Sequence, residues 1–233
     1  MSRILLTMAL LIIFCSCHRI TGSGNIITQE RHLAEFEGIK ASGSIDVEII
    51  SGQSQLVKVE ADDNILPYII TKIEDGLLEV HLKSGFSYND LNAKVYVISQ
   101  SLQKLIVSGS CNLTTKDTVK NDTKIETKLS GSGDIIALVD APFISAVITG
   151  SGSITLAGRT KDFNSNIVGS GDIKCKKLLS ENTTAAITGS GTARVFASVH
   201  LIAKLTGSGD IYYSGNPVVE IHKTGSGTVK AEK

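Results

Sequence analysis

Residues 144–156 read Ile144-Ser145-Ala146-Val147-Ile148-Thr149-Gly150-Ser151-Gly152-Ser153-Ile154-Thr155-Leu156. Counting by twos from Ile144 collects Ala146, Ile148, Gly150, Gly152, Ile154 and Leu156. Of the intervening residues, all but Val147 are Ser or Thr. This is the period of a strand with one apolar face, and its phase runs unbroken through Gly-Ser-Gly. Two inward positions without side chains let the backbone bend sharply and approach a neighbour, while Ser151 points out. The segment therefore predicts two strands that meet at a glycine corner.

The corner recurs. Gly-Ser-Gly begins at Gly22, Gly131, Gly150, Gly169, Gly189, Gly207 and Gly225, and from Gly131 onward the steps are 19, 19, 20, 18 and 18 residues. Ser42-Gly43-Ser44-Ile45-Asp46 and Ser108-Gly109-Ser110-Cys111-Asn112 are variants that replace the last glycine. A fixed period of this length marks a solenoid with one coil per repeat. Stacked on the first glycine, the inward columns are Leu129, Ile148, Ile167, Ile187, Leu205, Lys223 before the corner and Ile135, Ile154, Ile173, Ala193, Ile211, Val229 after it. The fold class is all-β, a single-stranded parallel β-helix of about 19-residue coils with Gly-Ser-Gly corners. A sandwich of hairpins does not usually repeat one tripeptide in register. Gly158 lies outside the motif and is expected to tolerate a side chain better than Gly150 or Gly171.

The regular repeats occupy residues 109–233. Residues 25–108 read as irregular N-terminal coils and a cap of the same domain, with Asp75-Gly76 between two apolar runs as a hairpin signal. No linker-like change of composition separates the two parts.

The first residues are an address. Arg3 precedes an apolar run over residues 4–14, interrupted only by Thr7, which is too short to span a bilayer. It ends in Phe14-Cys15-Ser16-Cys17, where a small residue before a cysteine resembles the bacterial lipobox. Residues 1–16 are thus expected to be a lipoprotein signal peptide and Cys17 the lipidated residue, opening a single β-helix domain over residues 17–233. Membrane attachment through that lipid is the expected partner interaction. His18-Arg19-Ile20-Thr21 carries no acidic residue, which points to the periplasmic face of the outer membrane rather than the surface.

Composition limits function. The 233 residues carry 23 basic and 23 acidic side chains and no Trp. A net charge of zero argues against nucleic-acid binding by phosphate neutralisation. Cys111 and Cys175 fall three coils apart, about 14 Å, beyond disulfide reach, so both are expected to be free thiols. No metal-ligand spacing and no cofactor motif occurs among the Cys and His residues, and none is expected.

The residue after each third glycine is Asp134, Ser153, Asp172, Thr192, Asp210, Thr228. Alternating Asp with a hydroxyl residue doubles the spacing between stacked carboxylates, so packing alone accounts for it. A ligand ridge is the functional alternative. Asp134 and Asp172 would lie about 9.6 Å apart, at the edge of the inverting-glycosidase range, so a polysaccharide-active enzyme is the second reading behind a non-catalytic one. No catalytic residue is assigned. The other candidate ligand contacts are Phe86, Tyr88, Asn89 and Asp90, in a segment joining two strands, and Tyr212, outward and isolated. A glycan or an envelope protein is the partner such aromatic and amide groups suit.

Several stretches resemble one family. They are Cys17, Gly22-Ser23-Gly24-Asn25, the stretch from Phe36 to Val47, Glu60-Ala61-Asp62-Asp63-Asn64-Ile65-Leu66-Pro67-Tyr68, and the terminal GSGD and GSGT repeats. The family is the head GIN domain, labelled "putative auto-transporter adhesin", common in Gram-negative lipoproteins. The resemblance covers essentially the whole mature chain. It implies a right-handed parallel β-helix in the cell envelope, used for binding or scaffolding. It brings no catalytic residues.

Overall fold

A computed structural model describes residues 18–232, so Cys17 and the signal segment lie outside the described residues. The protein is a parallel β-helix of about seven turns. Its first corner glycines stack in the expected register: Gly43, Gly109, Gly131, Gly150, Gly169, Gly189 and Gly207 pair successively from coil to coil. The inward columns form one continuous core. Ile135, Ile154, Ile173, Ala193 and Ile211 stack after the corner and are fully buried. Each such Ile contributes roughly 1.5–3 kcal/mol relative to exposure. Thr183 takes the place of Phe163 in its column and is buried too. Its hydroxyl is satisfied by donation to the Phe196 carbonyl at 2.7 Å, which removes the cost of burying it.

The two glycines of each corner serve different needs. The first adopts a left-handed backbone (φ +128° at Gly150), and a Cβ there would lie 2.5 Å from the Gly131 carbonyl oxygen of the preceding coil. The second is the buried one. A Cβ at Gly171 would lie 2.7 Å from both the Gly152 carbonyl oxygen and the Ile148 side chain. Gly158 corrects the expectation of tolerance. It has φ +132°, and its Cβ would run into the Val139 carbonyl. It is a second tight bend, on the far side of the coil, that no tripeptide announces.

Gly22-Ser23-Gly24 is not a corner of the stack. It forms the loop between the strands His18–Thr21 and Ile26–Arg31, gripped by the turn after Leu56–Asp62. Asp62 is fully buried and accepts from Gly24 N (2.8 Å) and Asn92 N (3.1 Å). Asp63 accepts from the Ser23 hydroxyl (2.6 Å) and the Asn25 amide (2.9 Å), which hold its carboxyl below the usual range. Asn64 bonds both to Ser23 N (3.0 Å) and to the Thr21 carbonyl (2.8 Å).

Coil order at this end departs from chain order. The coil of Gly38–Gly43 and Asp46–Ser51 is sandwiched between Lys104–Gly109 and Asn112–Lys120 on one side and Leu77–Leu82 and Ala93–Ser99 on the other. The chain therefore doubles back before the regular repeats begin. Antiparallel strands then close the end: Ile69–Glu74 on Leu77–Leu82 through the Asp75-Gly76 turn, and Leu56–Asp62 followed by Ile26–Arg31 on Ala93–Ser99. These strands cover the parallel edges that would otherwise invite another chain.

The other end is protected differently. Val218–Thr224 and Thr228–Ala231 each have a neighbour on one side only among the described residues, leaving Val218 and Ile221 exposed. Lys223 stands in the column of Leu205 and Ile187, and its Nζ donates to the Gly227 carbonyl at 2.9 Å. An inward charge on an open edge opposes end-to-end pairing. Lys223→Leu is expected to self-associate with rising concentration in sedimentation velocity, whereas Lys223→Arg keeps the parent's profile. A Leu variant that sediments like the parent at every concentration would refute this role.

Candidate functional site

The alternating column is a real ridge and runs further than its six predicted members. Asp134, Ser153, Asp172, Thr192, Asp210 and Thr228 pair in that order. Asn112 pairs with Asp134, Asp46 lies beyond it, and Lys94 pairs with Asp46. Carboxylates thus sit on alternate coils along the whole row. The row is also hydrogen-bonded along its axis: Asp46 Oδ1 accepts from Asn112 N and Asp210 Oδ1 from Thr228 N, each at 2.9 Å. Asp46 and Asn112 escaped the repeat count because their corners lack the third glycine.

Packing predicts the response to breaking the alternation. Thr192→Asp places three carboxylates in consecutive coils, about 4.8 Å apart, and should destabilise by roughly 0.5–1 kcal/mol per pair. The deficit should shrink in high salt, where exposed charges are screened. Thr192→Asn should be near neutral. A thermal melt in which the Asp variant gains stability on adding millimolar Ca²⁺ would instead identify the ridge as a cation site.

Tyr212 is outward but not isolated. Two residues beyond the ridge, Lys174, Arg194, Tyr212 and Lys230 pair in successive coils. The Arg194 guanidinium lies 5.0 Å from the Tyr212 ring centroid, a cation–π distance. Arg194 Nε is also 4.0 Å from a Glu232 carboxylate oxygen. The ridge carboxylates Asp172 and Asp210 thus border a flat face with an aromatic ring, two lysines and an arginine. Sequence reasoning singled out the ring and missed its cation, because Arg194 and Tyr212 are neighbours only through stacking.

The segment over residues 85–92 holds a strand rather than a loop. Phe86–Asn89 pairs in parallel with His18–Thr21 to form a separate two-stranded sheet. Phe86 packs on Tyr68 (centroids 5.0 Å apart) and Tyr88 (6.2 Å), while the Tyr88 hydroxyl donates to the Lys83 carbonyl at 2.8 Å. The Asn89 carbonyl accepts from Gly22 N at 3.0 Å, and Asp90 takes a left-handed φ of +48°. Of the four candidates, Phe86 and Tyr88 form one aromatic cluster, while the Asn89 backbone belongs to the N-terminal loop. This group does not share a face with Tyr212, which lies at the opposite end of the stack.

A groove of about 630 Å³ runs on the far side of the coils beside Pro142, Arg159, Lys161, Leu179, Glu181 and Phe196. Arg159, Lys161, Leu179 and Glu181 lie in the strands Ser153–Gly169 and Asp172–Gly189, at positions whose residue type changes from coil to coil, so no periodic signal marked the groove. Cys111 and Cys175 are free and buried. Burial pushes both thiols up, Cys175 to about 12, so they pack as small hydrophobes.

A parallel β-helix with polar rows along its outer faces places this protein in the class of β-solenoids. The match to the family model "Putative auto-transporter adhesin, head GIN domain" spans residues 35–217, and the chain belongs to that family. No curated protein matches the chain. Among solved structures, a "putative adhesin" from Bacteroides fragilis superposes with a TM-score of 0.87 at 21% identity, covering 91% of this chain and all of that one. A "putative adhesin" from Parabacteroides distasonis has a TM-score of 0.74 at 27% identity, over 92% of this chain and all of that one. A "putative lipid binding protein" from the same organism has a TM-score of 0.74 at 26% identity, with the same coverage of both chains.

Proposed function

We propose that this protein is a non-catalytic, adhesin-like module of the cell envelope. It is held by a lipid on Cys17 at the periplasmic face of the outer membrane and binds a glycan on its outer β-face. The observation that carries this reading is the stack of Arg194 on Tyr212 at 5.0 Å, beside a ridge that alternates carboxylates with hydroxyls. Tyr212 is half-buried beneath Arg194, and a sugar ring packs on the part of an aromatic left open while its hydroxyls both donate to carboxylates and accept from cations. Regular coils keep these groups at constant spacing, which suits a repeating polymer. The adhesin names of the family and of the Bacteroides and Parabacteroides structures agree with a binding role.

A glycan array probed with the Cys17→Ala chain tests it. Binding to one class of glycan is expected, with Arg194→Ala and Tyr212→Ala both losing it at unchanged melting temperature. An array without hits, or hits that both variants retain, would remove the glycan from this reading.

A further inference from the structure

The described chain begins beside an aromatic cluster. All four ring–ring contacts among the described residues fall in one group: Tyr68–Phe86 at 5.0 Å, Tyr68–Tyr88 at 6.1 Å, Phe86–Tyr88 at 6.2 Å and His18–Phe86 at 6.3 Å. Tyr68, Phe86 and Tyr88 are half-buried, and His18 and Lys83 beside Phe86 are exposed. Lys83 Nζ lies 5.9 Å from the Phe86 ring centroid. The protein has only 11 Phe and Tyr residues and no Trp. Three of them are thus gathered, partly exposed, at the capped end, with a lysine and a histidine beside them.

We propose that Tyr68, Phe86 and Tyr88, flanked by Lys83 and His18, form a seat that rests in the headgroup layer of a lipid bilayer. This rests on the reading that Cys17 carries the lipid. The argument is one of chain length. Cys17 is bonded directly to His18, and His18 already belongs to a strand paired with Phe86–Asn89. No spacer separates the anchor from the folded protein. A lipid inserted through Cys17 brings the surface around His18 to the headgroups, and the groups waiting there are those that partition to that layer. Tyrosine and phenylalanine bury their rings at the acyl boundary, and a lysine reaches out to phosphates. The seat also orients the molecule. The capped end faces the membrane, and the face bearing Arg194 and Tyr212, near the opposite end of the stack, is held away from it.

The absence of Trp supplies the test. Phe86→Trp is introduced into the full chain, purified from membranes and reconstituted into vesicles whose acyl chains are brominated. Phe143→Trp, on the outer face of a regular coil, is the control. Emission from Phe86→Trp is expected to shift to the blue and be quenched by the brominated lipid, while Phe143→Trp stays unquenched. Tyr88→Trp serves as a second reporter should Phe86→Trp melt early. Mass analysis of the same sample reports acylation of Cys17. If the protein is acylated and vesicle-bound but the Phe86→Trp and Tyr88→Trp variants are both unquenched, the seat is overturned and the anchor stands. An unmodified Cys17 with no vesicle binding overturns both.

Discussion

Gly150→Val is expected to destabilise the protein by about 3–5 kcal/mol, a fall in melting temperature of roughly 10 °C for a chain of this size. Two costs combine. A branched residue is forced into a left-handed backbone, here φ +128°, at about 1–3 kcal/mol. Its Cβ also meets the Gly131 carbonyl oxygen at 2.5 Å, and that oxygen accepts from both Ser151 N and Gly152 N at 3.0 Å. Relieving the overlap strains the corner's own hydrogen bonds, and overpacking of this kind costs about 1–3 kcal/mol more. Gly171→Val lacks the φ penalty but strikes both Gly152 and Ile148, so it should be severe as well. Gly158→Val belongs with Gly150→Val. Ser151 is exposed, and Ser151→Val should stay within about 0.5 kcal/mol of the parent. Thermal melts of the four variants decide the matter. A Gly150→Val protein that melts with Ser151→Val would show that the corner does not need its glycine.

Asp62→Ala is expected to cost about 2–4 kcal/mol and to loosen the N-terminal segment selectively. Its carboxylate is fully buried and accepts from Gly24 N and Asn92 N, so truncation removes two hydrogen bonds to a charged group at about 1.5 kcal/mol each, the low end of the range because Gly24 and Asn92 are themselves exposed. Both belong to the clasp that holds the loop after His18–Thr21. Amide exchange should therefore accelerate first in residues 22–25 and 86–89, with the regular coils still protected. Asp63→Ala breaks the bonds from the Ser23 hydroxyl and the Asn25 amide on an exposed side, where water replaces them, and should cost well under half as much. Equal losses from the two substitutions would mean that burial of Asp62 is not what makes the clasp strong.

The two glycine positions show how far pattern alone reaches. Gly150 was legible because it recurs with a period, and the period is the physical consequence of like coils stacking on like. The same holds for the core columns and for the Asp and hydroxyl ridge. Gly158 was not legible, since the far-side turn differs from coil to coil and its left-handed backbone arises from the close passage of Val139. Asp46 and Asn112 stayed out of the ridge for a related reason. Their corners carry Ile45 and Cys111 in place of the third glycine, so a column counted after third glycines passes them over, although both stand at the same place in the variant corners and the pairing continues the row through them.

By itself, the sequence determined the solenoid, its register, the inward and outward parity of the repeats and the family, because each rests on local alternation repeated many times. The tertiary structure alone decided what happens where repetition stops. It placed the coil of residues 77–99 beneath the coil of residues 38–51. It turned Gly22-Ser23-Gly24 from a corner into a partner of Asp62 and Asp63. It paired residues 86–89 with the strand that leads back to Cys17, and it set Arg194 over Tyr212. Arg194 and Tyr212 meet one coil apart within the regular register, but the other contacts join residues between 38 and 68 positions apart through single, unrepeated pairings. A unique long-range contact leaves no period in a chain, and burial and hydrogen-bond satisfaction select it only when the whole chain is folded.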